Sequence, residues 1–110
     1  ATDQLQQAVR SAELQTRNAY RGVLTDIAQV KALGKTVEST RIAVEGEEAG
    51  NEVGTRTIVD VLNAQREFYL AKLNYARGRY LYVVDQLRLK QAAGILAYED
   101  IEEVNRALQR

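Results

Sequence analysis

Apolar residues recur at alternating steps of three and four over the first half of the chain. The series is Val9, Ala12, Thr16, Ala19, Val23, Asp26, Val30, Leu33, Val37, Thr40 and Val44. Eight of these eleven positions are apolar and two more are threonine. A seven-residue repeat kept over that distance predicts a helix from about Thr2 to Ala49, about 70 Å long, supercoiled with a partner helix. A second face carries small residues, Ser11, Gly22, Thr25, Ala28, Ala32, Ser39, Ala43 and Gly46. Glycine inside a helix costs about 1 kcal/mol relative to alanine, so Gly22 and Gly34 suggest close approach of another backbone.

From Thr57 to Ala92 there are two such series. One runs Val59, Leu62, Arg66, Tyr69, Leu73, Ala76, Tyr80, Val83, Leu87; the other, offset by two residues, runs Val61, Ala64, Phe68, Ala71, Tyr75, Gly78, Tyr82, Asp85, Leu89. At about 100° per residue they lie on nearly opposite sides of the helix. A two-helix hairpin uses only one of them. The other calls for a further helix, as in a wall of helices where each member has two neighbours, and the second series is expected to lie exposed when the chain is alone. The polar faces between them, Asp60, Asn63, Glu67, Asn74, Arg77 and Arg88 on one and Gln65, Lys72, Arg79 and Gln86 on the other, suit a wall wetted on both sides.

The break between the helices is the stretch 50–56. Gly50-Asn51 has the composition of a helix end closed in the left-handed region. Thr57 followed by Asp60 forms a capping-box pattern that starts the next helix. So short a connection returns the second helix antiparallel to the first. A second interruption is expected at 93–94, with Gly94 closing the long helix. A short amphipathic helix then follows, with Glu99 and Asp100 in its first turn, Ile101, Val104 and Leu108 on one face, and Arg106 and Arg110 near its end. The fold class is all-α: a long antiparallel coiled-coil hairpin, a segment of an α-helical barrel, with a short C-terminal helix. Its parts are 1–49, 50–56, 57–92 and 93–110 of a single unit.

Composition narrows the functional classes. The 110 residues include no proline, cysteine, histidine, methionine or tryptophan. That leaves no thiolate or imidazole for a metal, cofactor or nucleophilic centre. Fifteen acidic and fifteen basic side chains are interspersed along the chain, with no basic patch for nucleic acid. No apolar run approaches the roughly 20 residues of a membrane-spanning helix, so this segment is expected to make no direct membrane contact. The start at Ala1-Thr2-Asp3 suggests a piece of a longer protein. Asp60 and Glu67 share a helix face, but an exposed carboxylate pair lacks the burial that tunes acid or base catalysts, and no enzyme activity is expected. Phe68, Tyr69, Tyr75, Tyr80 and Tyr82 sit on the apolar series, where packing explains them better than a stacking platform for bases or sugars.

The string from Glu48 to Gln65, with Val53-Gly54-Thr55-Arg56-Thr57-Ile58-Val59-Asp60-Val61-Leu62 at its centre, resembles the C-terminal half of TolC-type outer membrane efflux channels. So do Tyr69-Leu70-Ala71-Lys72, Gln86-Leu87-Arg88-Leu89-Lys90-Gln91-Ala92-Ala93-Gly94 and Glu99-Asp100-Ile101. The resemblance implies a homotrimer with an outer-membrane β-barrel and a periplasmic tunnel of long helical hairpins, of which this chain is the second. It implies that Val53, Gly54 and Thr55 dock on the hairpin tip of a periplasmic adaptor, or membrane fusion protein. Arg56 would join the polar links that close the entrance, and Asp60 would belong to a ring that attracts cations. Two positions depart from the family pattern: Asn63 stands where a second inward aspartate is common, and Asn51 where an aromatic is common. A free-standing coiled-coil scaffold or adaptor hairpin is the alternative, and the tip string and doubled apolar series disfavour it. Isolated, the chain is expected to self-associate.

Overall fold

The computed structural model describes residues 2–109, apart from the side chains of Leu96 and Asp100. Ala1 and Arg110 lie outside the described residues, and with them the expected place of Arg110 at the end of a terminal helix. Helix α1 spans Thr2–Glu52 and helix α2 spans Ile58–Leu108, 51 residues each, with no strand among the described residues. The helices associate in two compact units, one of residues 26–81 and one of residues 1–25 with 82–110.

In the first unit the reversal at 53–57 lays α2 antiparallel to α1. The α1 side of the contact is Asp26, Val30, Leu33, Val37, Thr40, Val44 and Glu47, the predicted series continued by one step. On the α2 side lie Val61, Ala64, Phe68, Ala71, Tyr75 and Gly78. It is therefore the series beginning at Val61 that packs. The series beginning at Val59 is the open one, with Val59, Leu62, Tyr69 and Tyr80 all more than half exposed. This reverses the expectation of which series the isolated chain leaves free. Ala64, Ala71 and Gly78 recur every seven residues and let α1 come close, whereas Arg66 and the large side chains of the other series would hold it away. A Cβ on Gly78 would lie 2.7 Å from Leu33 Cδ1, so the leucine fills the space that glycine leaves. Gly34 meets the Tyr75 ring at an ordinary contact distance, which makes it a less demanding position than its sequence context suggests.

Among the described residues only small side chains and Asp26 are buried here, Val61, Ala64 and Ala71 among them, while Phe68 and Tyr75 are half-buried. Threonines are accommodated in α1 because their hydroxyls bond back to the helix. Thr40 Oγ1 donates to the Thr36 carbonyl at 2.7 Å, which leaves its methyl group for the contact.

The second unit is built in the same way. Ala12, Val23 and Ala92 are buried, and Val9, Thr16, Ala19, Tyr82 and Leu89 are half-buried. Thr16 Oγ1 donates to the Ala12 carbonyl at 2.8 Å, and Gln86 Nε2 donates to the Tyr82 hydroxyl at 2.8 Å. The interruption expected at 93–94 is not there, because α2 is helical through Gly94 to Leu108. Gly94 has no positive φ, and a lone glycine among Ala92, Ala93, Ile95 and Ala97 costs about 1 kcal/mol, too little to end a helix that its neighbours favour. The expected terminal helix is the last part of α2. Its apolar residues Ile101, Val104 and Leu108 are exposed.

Candidate functional site: the hairpin tip

The chain reverses over five residues, 53–57, and both helix ends are closed by hydrogen bonds of their own. At the end of α1, Thr55 N–H donates to the Gly50 carbonyl at 2.8 Å and Gly54 N–H to the Asn51 carbonyl at 3.1 Å. These two bonds form a Schellman motif, with Gly54 at the left-handed position. Its φ is +84°, and no other described residue has a positive φ. The left-handed residue is thus Gly54, and α1 passes through Gly50-Asn51 to Glu52 instead of stopping at Ala49. The Gly50 carbonyl also accepts from Arg56 N–H at 3.1 Å and from Thr55 Oγ1 at 3.1 Å. Three donors meet on one oxygen.

At the start of α2 the capping box closes in both directions. Asp60 N–H donates to Thr57 Oγ1 at 3.2 Å, and Thr57 N–H donates to Asp60 Oδ2 at 3.0 Å. The bond from the Thr57 backbone, helped by the Thr57 hydroxyl and more weakly by the Arg56 charge, holds the Asp60 carboxyl below the ordinary aspartate range. Asp60 therefore stays ionised at neutral pH, at a helix N-terminus where negative charge is favoured.

The residues singled out from the sequence fall into three groups. Val53, Gly54 and Thr55 form the exposed turn, with Val53 76% exposed. Arg56 lies beside them, and its guanidinium Nε is 3.6 Å from Glu47 Oε2. Asp60 belongs to the cap, while Asn63 lies one turn further along α2, exposed and outside the hydrogen bonds of the turn. Asn51, read from the sequence as part of the helix end, donates from Nδ2 to the Arg56 carbonyl at 3.0 Å, tying the end of α1 to the residue before the cap. Glu47 went unrecognised in the sequence, and its signal was present as a charged residue three positions after Val44 on the packing series. Behind the turn, Gln65 Nε2 donates to Glu48 Oε1 across the two helices at 3.4 Å.

What results is a hydrogen-bonded, solvent-facing turn with one apolar knob, one ion pair and one persistent carboxylate. Among the described residues no group of three or more Asp or Glu side chains is placed to hold a metal ion. No described helix is long and apolar enough to cross a membrane. The sequence model of the outer membrane efflux protein family matches residues 1–95. The chain belongs to the outer membrane efflux protein family. Over all 110 residues it is 38% identical to outer membrane protein TolC of Escherichia coli (strain K12), and it spans 22% of that protein's length. TolC of Vibrio cholerae is 39% identical over 109 residues, 99% of this chain and 25% of the relative. The alkaline protease secretion protein AprF of Pseudomonas aeruginosa is 31% identical over 100 residues, 91% of this chain and 21% of the relative. The chain thus spans about a fifth to a quarter of the length of these relatives. Its expected likeness to TolC-type proteins holds over its full length, and it is a segment of an outer membrane protein on the periplasmic side.

Proposed function

We propose that this hairpin forms part of the wall and entrance of an export duct and that its tip docks on the hairpin tip of a periplasmic adaptor in a tripartite pump. The observation that carries this reading is the exposed Val53 on a turn fastened at both helix ends. A contact residue presented on a pre-ordered backbone loses little entropy on binding. The open series on α2, Val59, Leu62, Tyr69, Leu73 and Tyr80, supports the wall assignment, because it offers a neighbouring hairpin a packing face as regular as the one already used within the unit. In the full protein three copies would assemble, as the family resemblance implies, and a relative named as an alkaline protease secretion protein fits a duct role. The duct role is passive, with no catalytic step assigned to any residue.

The test is binding of this chain to a panel of adaptor hairpins, with Val53→Asp as the variant. Val53 contributes an exposed side chain to the turn, so the substitution should leave helicity unchanged and weaken binding by about tenfold or more, equivalent to about 1.4 kcal/mol. Equal binding by the variant would remove Val53 from the docking surface. Absence of binding across the panel, with both helices folded, would count against docking altogether.

At the entrance, Asp60 supplies the negative charge and Asn63 a neutral amide. In the assembled protein, Asn63→Asp is expected to add one charge per protomer to the constriction and strengthen block of duct current by multivalent cations. Unchanged block in conductance measurements would place Asn63 away from the constriction.

A further inference from the structure

Four contacts converge on Arg56, and one of them involves Glu47, to which neither family membership nor the sequence pattern gives a role. Its N–H donates to the Gly50 carbonyl and its own carbonyl accepts from Asn51 Nδ2. The aliphatic stem lies on the bare α-carbon of Gly50, where a Cβ would come within 2.5 Å of Arg56 Cγ and 3.2 Å of Arg56 Cβ. Its guanidinium faces Glu47, whose Oε2 is shielded from water and accepts no hydrogen bond. A carboxylate oxygen withdrawn from water in this way is costly without an opposite charge beside it.

We propose that Glu47 is a positioning residue for Arg56, and that together with the glycine at position 50 it holds the guanidinium back against its own hairpin. The side chain of Glu47 is 26% exposed and that of Arg56 58% exposed, so the pair is a latch at the surface and not a buried bridge. Three consequences follow from its geometry. A carboxylate on another subunit or on an adaptor that recruits Arg56 must first displace Glu47. Release swings a positive charge from the flank of α1 toward the turn that carries Val53. Gly50 is required at its position for the seat it gives the arginine stem, since its own backbone is helical. The inference deepens the reading of Arg56 as an entrance residue, yet its test reads the hairpin alone and does not depend on docking.

The experiment is solvent exchange of the Arg56 side-chain Nε–H, followed by nitrogen-15 NMR on the full 110-residue chain. In the unmodified chain this exchange should be about two- to fivefold slower than in Glu47→Gln, the range an exposed ion pair supports. Gly50→Ala should accelerate it similarly by displacing the stem. About 1 M salt added to the unmodified chain should do the same without any substitution, because screening reaches an exposed pair. The Thr55 amide, bonded to the Gly50 carbonyl, serves as the internal control that the turn is intact in Glu47→Gln. Faster Arg56 exchange with an unchanged Thr55 amide is the expected result. Arg56 exchange that is indifferent both to Glu47→Gln and to salt would overturn the proposal.

Discussion

Gly54 and Thr57 each do one thing that few other residues can. Gly54 occupies the left-handed region at φ +84°, and Gly54→Ala should lower stability by about 1 kcal/mol, seen as an earlier midpoint in urea unfolding followed by circular dichroism. Thr57→Ala removes the acceptor for the Asp60 N–H, and a loss of about 1 kcal/mol is expected by the same measurement. Asp60 adds a pH dependence whose sign is fixed by its lowered folded-state pKa. The stabilisation is fully present above the unfolded-state aspartate pKa and is lost as pH falls through the lower folded value. Asp60→Asn should therefore flatten the acid limb of the stability profile by lowering stability in the neutral region, while leaving stability little changed below the folded-state pKa. An acid limb identical in the two proteins would show that the Thr57 bond does not act on the carboxylate in solution. The cap was legible in the sequence because Thr57 and Asp60 are three apart in front of an apolar run. The position of the left-handed residue was not, since Gly50-Asn51 and Gly54 carry the same local signal and only the hydrogen bonds converging on the Gly50 carbonyl choose between them.

For the helices themselves, periodicity identified both packing faces, and it misjudged which of the two faces on α2 would be used. Counting apolar positions cannot separate the series at Val59 from the series at Val61. Side-chain volume can, because Ala64, Ala71 and Gly78 admit a neighbouring helix that Leu62, Tyr69 and Tyr80 would keep at a distance. The expected end of the helix at Gly94 failed for a related reason: a glycine is a permissive residue, and permission becomes termination only where the following chain departs from the helix. A Cβ at Gly94 would meet nothing within 4 Å. Gly94→Ala is accordingly expected to stabilise the chain by about 1 kcal/mol, raising the thermal midpoint monitored at a helical wavelength. A lower midpoint would mean that this position does close the helix in solution.

As a whole molecule the chain carries an apolar series that its own fold does not cover. Val59, Leu62, Tyr69 and Tyr80 are each between 56% and 69% exposed. Scattered exposed apolar residues need no account, but a stripe at heptad spacing is a packing surface. The isolated chain should therefore self-associate, with a sedimentation-derived mass that rises with concentration. The double variant Leu62→Glu and Tyr69→Lys should return it to a monomer with its helicity intact. A concentration-independent monomer before substitution would remove the stripe as an association surface. Family membership was legible because the tip string is long and specific. The latch between Glu47 and Arg56 was not, because it joins residues nine apart whose meeting depends on how the turn between them is wound.

The two helices match in length, 51 residues each, and the contact between them in the unit carrying the tip repeats every seven residues. Length in such a hairpin is quantised. Seven residues added to α1 and seven to α2 within that unit would move the tip outward by about 10 Å while returning every side chain to its former face. An insertion in one helix alone, or of three residues in both, would rotate packed positions toward water. Reach can thus change in whole heptads without redrawing either end, which makes the hairpin a ruler whose graduations are written in its packing.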